Sequence, residues 1–520
     1  MEYSYLMIES YSKLFSCDKE LKGNIKTIIR KYDRRILLTL ASRLSNECGK
    51  VNSHLYKKYF PSIKSNKIKT VLISKQGLMY CMKWILAYGI EQDNVIEGND
   101  NIYDYEELEH LIKIQLMLAD YLNDDETDPK GFMFRNFNFN KTTNPAHEIK
   151  RAKSIFLDIA GKSNPSNSNG NYLNISQDFL LHHGYSLKHH IFYSEILLRM
   201  LYGKRKITSI YDRKFLLNYF GENPNVNKYL NSLTVSWHEA QNWAKRSIDN
   251  IWDYSLFLSK PLIEVVNSKL LSYSIEYLYN LQFEGVYHKI IELYSNSKKT
   301  RAYIGNLFEE YVWNISRDSI TKTQTRKYSI INEFQIQGPL RSSDTYIKYK
   351  DSLIAVEVKG IRPRYVTKTV NKSIEFEKDI DKVLKAVKQA QTALDNIKTH
   401  KCKKLGKYKK VYIIVVSLDN ILIDRFTWDY IKEQKFPEKL QDNVQGYINL
   451  SIHEYEYLCG LIHKKRKSFD VINEYFIDNY TKPFLNYIEE KNIPLNKIDI
   501  YIDEYSYNDS LLQDLDGDNH

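Results

Sequence analysis

Along the first 160 residues, apolar positions return every three or four residues between polar breaks, the period of helices with one buried face. Residues 24–40 predict a basic amphipathic helix, and residues 106–118 predict a helix of ordinary core type. Residues 162–171 are turn formers without an apolar anchor and read as a loop that could split a helical region into two lobes. Helical spacing resumes over 193–202, 235–258 and 270–293, with a break at 259–264. Residues 1–295 are therefore expected to be mostly α-helical. His182, His183, His189 and His190 crowd into this stretch, but their spacing fits no standard metal site.

After residue 295 the period switches between 3.6 and 2. Residues 300–315 predict a helix with a stripe of Ile304, Leu307, Phe308, Tyr311, Val312 and Ile315, and Glu309 falls beside that stripe. Phe334–Gln337 reads as a first strand ending at Gly338 and Pro339. Tyr346–Tyr349 and Leu353–Val358 read as two strands around a tight turn at Lys350, Asp351 and Ser352. Residues 378–397 predict a helix with Ile380, Leu384, Val387 and Leu394 on one face. Gln391 lies on that same face, where a buried amide needs a partner. Val411–Val416 is a further strand, and residues 447–458 a strand followed by a helix capped at Ser451, with Glu454 completing a capping box. The expectation is a mixed central sheet flanked by helices over 296–470, then a C-terminal helix and acidic tail over 471–520.

The chemistry gathers on the predicted hairpin. Side chains alternate along a strand, so Glu357 and Lys359 project together while Val356 and Val358 enter the core. Asp344 opens the neighbouring strand and can come alongside that pair. Two carboxylates and an ammonium on one sheet edge suit metal-assisted phosphodiester hydrolysis. Carboxylate oxygens hold Mg²⁺ or Mn²⁺, which lowers the pKa of a bound water. A lysine can orient that water or steady the charge developing on the phosphate. Just downstream, Arg362, Arg364, Lys368 and Lys372 are placed to meet a phosphate backbone.

This ordered set resembles the PD-(D/E)xK nuclease superfamily, the restriction-endonuclease-like fold, over roughly residues 300–420. The matching features are the acidic helix motif Gly305–Glu309, then Asp344, a β-turn-β unit, Glu357-Val358-Lys359, a glutamine-bearing helix around Gln391, and a following strand. Ser343 stands where the namesake proline would be. The resemblance implies an α/β nuclease domain in which Asp344, Glu357 and the Val358 carbonyl ligate the metal. It further implies that Lys359 acts on the water or transition state, that Glu309 supports the metal shell, and that Gln391 orients the network. DNA is the polymer it favours. A ribonuclease effector, or a non-cleaving nucleic-acid-binding protein on the same fold, is the alternative. A helical region joined to such a domain is an arrangement associated with bacterial restriction and antiphage defence, with a homodimer or a defence subunit as possible partner.

Charge sharpens this picture. The chain carries +11 overall, yet residues 301–410 alone hold 24 Lys and Arg against 12 Asp and Glu, so the rest sums to about −1. The basic excess thus lies with the candidate site, the footprint expected of a polyphosphate-handling surface. Part of it is a loop, His400–Lys410, with six lysines and no acid. Five scattered cysteines without a CxxC pair read as reduced thiols. With no signal-peptide pattern and no long apolar run, a cytoplasmic protein without a membrane partner is expected.

Overall fold

Two compact units build the chain in the computed structural model, one from residues 1–152 and 175–293 with a short segment at 365–373, the other from 153–174, 294–364 and 374–520. The structure describes residues 10–59, 73–92, 106–123, 145–164, 171–202, 210–221, 223–266, 268–295, 297–321, 327–363, 373–419, 421, 443–464, 468–477 and 484–500. Helices and mixed sheets combine in an α/β protein. Among the described residues no helix is long and apolar enough to cross a membrane.

The first unit is organised around helices α1 (Arg34–Tyr59), α2 (Lys75–Tyr88) and α3 (Glu107–Asn123). Helix α2 is buried from Gln76 to Ala87. It has no polar face, so it runs through the core instead of lying on it. Its buried charged residue, Lys83, donates to the Asn250 (2.8 Å) and Asp253 (3.1 Å) carbonyls, which satisfies the ammonium. Helix α4 (Trp237–Ser247) packs on α2 and starts with a capping box between Ser236 and Glu239.

Two expectations for this unit are corrected. The basic helix expected over 24–40 is two helices, Lys22–Ile29 and α1, broken where Asp33 turns the chain. Asp33 is buried and accepts from the Arg35 amide (2.7 Å), the Arg35 guanidinium and the Gln92 amide (2.9 Å). An acceptor serving the next helix's first amides ends one helix and caps another. The second correction is a four-stranded sheet built from β1 (Ile210–Asp212), β2 (Thr234–Val235), β3 (Leu262–Val266) and β4 (Lys269–Ser272), in the order β1-β4-β3-β2. The sequence pattern reads 259–264 as a break and 270–293 as one helix, because strands this short carry too little alternation to announce themselves. The four histidines lie on two helices, Ile175–His183 and Leu187–Tyr202. His190 is fully buried against Phe179, Tyr185 and Tyr229, with the Tyr185 hydroxyl 3.2 Å from its Nδ1, an aromatic packing role.

The second unit holds a five-stranded mixed sheet and a separate two-stranded ribbon. The ribbon is β6 (Gln335–Gln337) with β7 (Leu340–Arg341). The sheet is built from β5 (Tyr328–Asn332), β8 (Thr345–Tyr349), β9 (Ser352–Lys359), β10 (Lys410–Ser417) and β11 (Val444–Ser451), in the order β11-β10-β9-β8-β5. Strands β9, β10 and β11 run parallel; β8 is antiparallel to β9 and to β5. The unbroken apolar runs of β9 and β10 are what parallel strands covered on both faces require, and both are buried along most of their length. Helices α5 (Ser297–Thr321), α6 (Ser373–Thr399) and α7 (Ile452–His463) accompany them, α7 starting with the expected Ser451–Glu454 capping box. Buried hydroxyls tie α5 to α7: Tyr311 donates to Glu456 (2.7 Å), and Ser316 lies 2.8 Å from the Tyr455 hydroxyl. The strand expected at Phe334–Gln337 is therefore not in the main sheet. It forms half of the ribbon, and β5, just upstream, takes the edge position. Two helices, Ser468–Ile477 and Phe484–Glu490, stand where one C-terminal helix is expected; the acidic tail over 501–520 lies outside the described residues, as do residues 165–170 of the loop at 162–171.

Candidate active site

The β8–β9 hairpin carries the site. Its register pairs Tyr349 with Ser352 and Thr345 with Val356, closing on a two-residue turn where Lys350 takes φ 54°. Asp344, one step beyond the last pair, therefore arrives beside Glu357. Its Oδ2 accepts a hydrogen bond from the Val358 amide at 2.6 Å, tying the carboxylate across the hairpin. The segment before it is held just as firmly: Ser342 Oγ accepts from the Phe334 amide (2.9 Å), and the Tyr346 hydroxyl accepts from the Ser343 amide (3.1 Å). Ser343, at the namesake-proline position, is buried and shapes the approach to Asp344.

On β9, the Lys359 ammonium donates to Glu357 Oε1 at 2.8 Å. Glu357 is 5% exposed, while Lys359 is partly open to solvent. Helix α5 passes close to this edge at Gly305: a Cβ built on Gly360 would stand 3.5 Å from the Gly305 Cα, at ordinary van der Waals contact. Glu309, one turn along α5 from Gly305, is thereby brought within electrostatic reach of Asp344, Glu357 and Lys359.

Sequence reasoning missed one carboxylate. Glu333 follows β5, and its amide donates to the Asp344 carbonyl at 2.9 Å. Its charge raises the pKa of both Asp344 and Glu309. The signal is there only for a reader who has placed the edge strand at 328–332, since Glu333 is the residue that follows it.

Crowding decides the protonation states. Burial first, then the Asp344 charge, push the Glu357 carboxyl up to about 7, against the opposing pull of Lys359. Glu309 has an exposed side chain at the rim, but the protein mass behind it and then Asp344 push it up to about 7 as well. Asp344 is also raised, chiefly by burial, with the Val358 amide and Lys359 holding it back. Burial would lower Lys359, but Glu357, Asp344 and Glu309 outweigh it and keep the ammonium above its ordinary value. One lysine thus faces several carboxylates. That donor chemistry, hard oxygens in excess of cationic charge, fits a divalent cation of the Mg²⁺ or Mn²⁺ kind.

The other predicted residues are placed less closely. Gln391 lies on the buried face of α6 among Val387, Ala390 and Leu394, as its spacing predicts. Val358 buries its side chain and offers its backbone to the site edge. Arg362 is half-buried two residues past Gly360. Arg364, Lys368 and Lys372 lie outside the described residues. No family profile, curated protein or solved structure matches the chain.

Proposed function

We propose that the second unit is a divalent-metal-dependent nuclease of the PD-(D/E)xK kind, hydrolysing phosphodiester bonds of DNA. The observation that carries the reading is the meeting of Asp344, Glu357, Lys359 and Glu309, drawn from a hairpin and a helix, at one end of a mixed sheet. The order of helix, antiparallel hairpin, helix and parallel strand supports this reading.

Asp344, Glu357 and the Val358 carbonyl would hold Mg²⁺ or Mn²⁺, which when bound supplies Lewis-acid polarisation and a more acidic water. The chain's own residues do the remainder. Lys359, whose ammonium is favoured by the carboxylates around it, is suited to stand as a cation beside the scissile phosphate. Glu309, with a carboxyl near 7 and a route to solvent, is suited to take a proton from the attacking water. Gln391 orients the network from α6, and Arg362, Arg364, Lys368 and Lys372 meet the phosphates. A homodimer, or a partner subunit in a restriction or defence system, would present two such sites to a duplex.

Plasmid DNA incubated with the full chain and Mg²⁺ or Mn²⁺ tests the reading. Nicking or linearisation, abolished by chelator and by Lys359→Ala or Asp344→Asn but kept by Glu310→Gln, is expected. Intact plasmid under every metal condition, with folded protein, would overturn it. Cleavage of RNA alone would move the reading to a ribonuclease effector, and DNA binding without cutting to a platform.

A further inference from the structure

The segment His400–Lys410, the loop after α6 together with the first residue of β10, has no part in the site just described, yet its backbone is held at several points. At its start, the His400 amide donates to the Asn396 carbonyl (2.9 Å) and the Cys402 amide to the Ile397 carbonyl (2.9 Å), with Lys401 at φ 48°. In its middle, Leu405 is buried and its carbonyl accepts from the Lys348 ammonium of β8 at 2.8 Å. Gly406 takes φ 62°, and its amide donates to the Lys403 carbonyl (3.0 Å). At its end, the Lys409 amide donates to the Asp351 carbonyl (2.7 Å) at the hairpin turn. Lys404 lies over the Phe334 ring, 4.8 Å from its centre, and Phe334 is bonded to Ser342, two residues from Asp344. The loop therefore follows the hairpin from its turn towards the site.

On this frame stand Lys401, Lys403, Lys404, Lys407, Lys409 and Lys410, all exposed, with no acidic residue in the loop. Among the described residues, the carboxylate found within ion-pair distance of any of them is Asp351, 3.9 Å from Lys409. Here the backbone is ordered at both ends and in the middle, and the charge is left open.

We infer that this loop is a preformed clamp for the phosphate backbone of duplex DNA, holding the polymer along the hairpin whose far end carries the carboxylate site. The eight residues of β9 span roughly 23 Å at about 3.3 Å each. That is about seven base-pair steps of a duplex, so a single stretch of DNA shorter than one helical turn reaches both clamp and site. The inference rests on the nuclease reading for the identity of the polymer, and its test is read by binding, not by cleavage.

The experiment is a salt titration of binding to a labelled duplex of about 20 base pairs, using the full chain with Lys359→Ala so that the DNA stays whole in Mg²⁺. Adding Lys403→Ala, Lys404→Ala and Lys407→Ala together is expected to weaken binding roughly ten- to hundred-fold at low salt. The slope of log affinity against log salt should shrink by about 0.9 for each phosphate that the variant no longer neutralises. Gly406→Val leaves the charge unchanged but puts a branched side chain at positive φ, with its Cβ 2.9 Å from the Lys348 ammonium; a several-fold loss is expected if the loop acts as a shaped clamp. A matched triple, Lys214→Ala, Lys245→Ala and Lys269→Ala, all exposed in the first unit, should leave the slope near its parent value. An unchanged slope in the loop triple, an equal loss in the matched triple, or no binding of the duplex by the parent would overturn the clamp. Binding that depends on the loop, with wild-type protein that cuts nothing, would sustain the clamp and sink the nuclease reading instead.

Discussion

Asp33 in the first unit and Glu357 in the second are both carboxylates 5% exposed or less, and the protein treats them in opposite ways. Burial would raise Asp33, but the Arg35 guanidinium and the Gln92 and Arg35 amides overcome it and hold the carboxyl below its ordinary value. Glu357 shares one ammonium with Asp344 and Glu309, and it is pushed up to about 7. The first carboxylate is fully answered within the chain and reads as architecture. The second is answered only in part, and a site left short of positive charge is one that gains by taking up a cation.

The largest effect that would sharpen this contrast is on catalysis. Asp344→Asn and Glu357→Gln should each lower plasmid cleavage by about a thousandfold or more, in line with the loss of charge-stabilising groups from an active site. Neither should lower the melting temperature, because each removes a like-charge conflict. A melting temperature that falls along with activity would break the comparison.

Asp33→Ala should do the reverse. It takes the buried carboxylate away from the Arg35 guanidinium, which is 10% exposed and keeps the Glu91 carboxylate and the Gln92 carbonyl (2.6 Å), and breaking a buried ion pair from one side costs up to about 3–5 kcal/mol. Denaturant unfolding is the measurement. A loss of under about 1 kcal/mol would mean that the Glu91 carboxylate, 2.8 Å from the same guanidinium, compensates.

Next comes pH. The raised carboxyls of Glu357 and Glu309 bind protons more tightly in the folded chain than in the unfolded one, whose ordinary value is 4.5. Their contribution to stability is therefore greatest at acid pH and falls as pH rises from about 4.5 through about 7. Asp33, held below its ordinary value, contributes stability above that value and loses it as pH falls further. Thermal melts in chelator should show the second unit weakening as pH rises between about 4.5 and about 7. Added Mg²⁺ at about a hundredfold over its Kd should restore about 2.7 kcal/mol at pH 8. A metal effect much smaller in Glu357→Gln than in the parent supports the assignment; an equal one in both contradicts it.

The smallest expected effect belongs to Glu310→Gln, next to Glu309 on α5 and likewise exposed. It should change stability by less than about 0.5 kcal/mol and leave cleavage as it was. A large loss here would mean that the α5 carboxylate assigned to the site is the wrong one.

How much of this is legible in the sequence follows from the length of each element. The hairpin, α5, α6 and the strand at 411–416 are long enough to show their period; the structure places the hairpin strands and the 411–416 strand within one residue of their expected spans and extends α5 and α6 beyond theirs by up to six residues. The two-residue spacing of Glu357 and Lys359 fixes their common face, so the Glu357–Lys359 ion pair can be anticipated. The small sheet of the first unit cannot, because strands of two to five residues carry no readable alternation and pair across distant parts of the chain. The edge strand at 328–332 escapes for a related reason. Phe334 and Ile336 imitate a strand start, while Tyr328, Ile330 and Ile331 are only half-covered in an edge position. Glu333 is lost with it, and the raised carboxyls depend on a crowding that no one-dimensional pattern displays.

Calorimetric titration of the metal-free protein with Mn²⁺ near pH 7, run in two buffers of different ionisation enthalpy, tests the central claim most directly. If Asp344, Glu357 and Glu309 form a cation-demanding centre, binding will release protons, and both the binding and the proton release will be lost in Glu357→Gln and Asp344→Asn. Binding with no proton release, or binding that survives in both variants, would place the cation elsewhere and contradict the account.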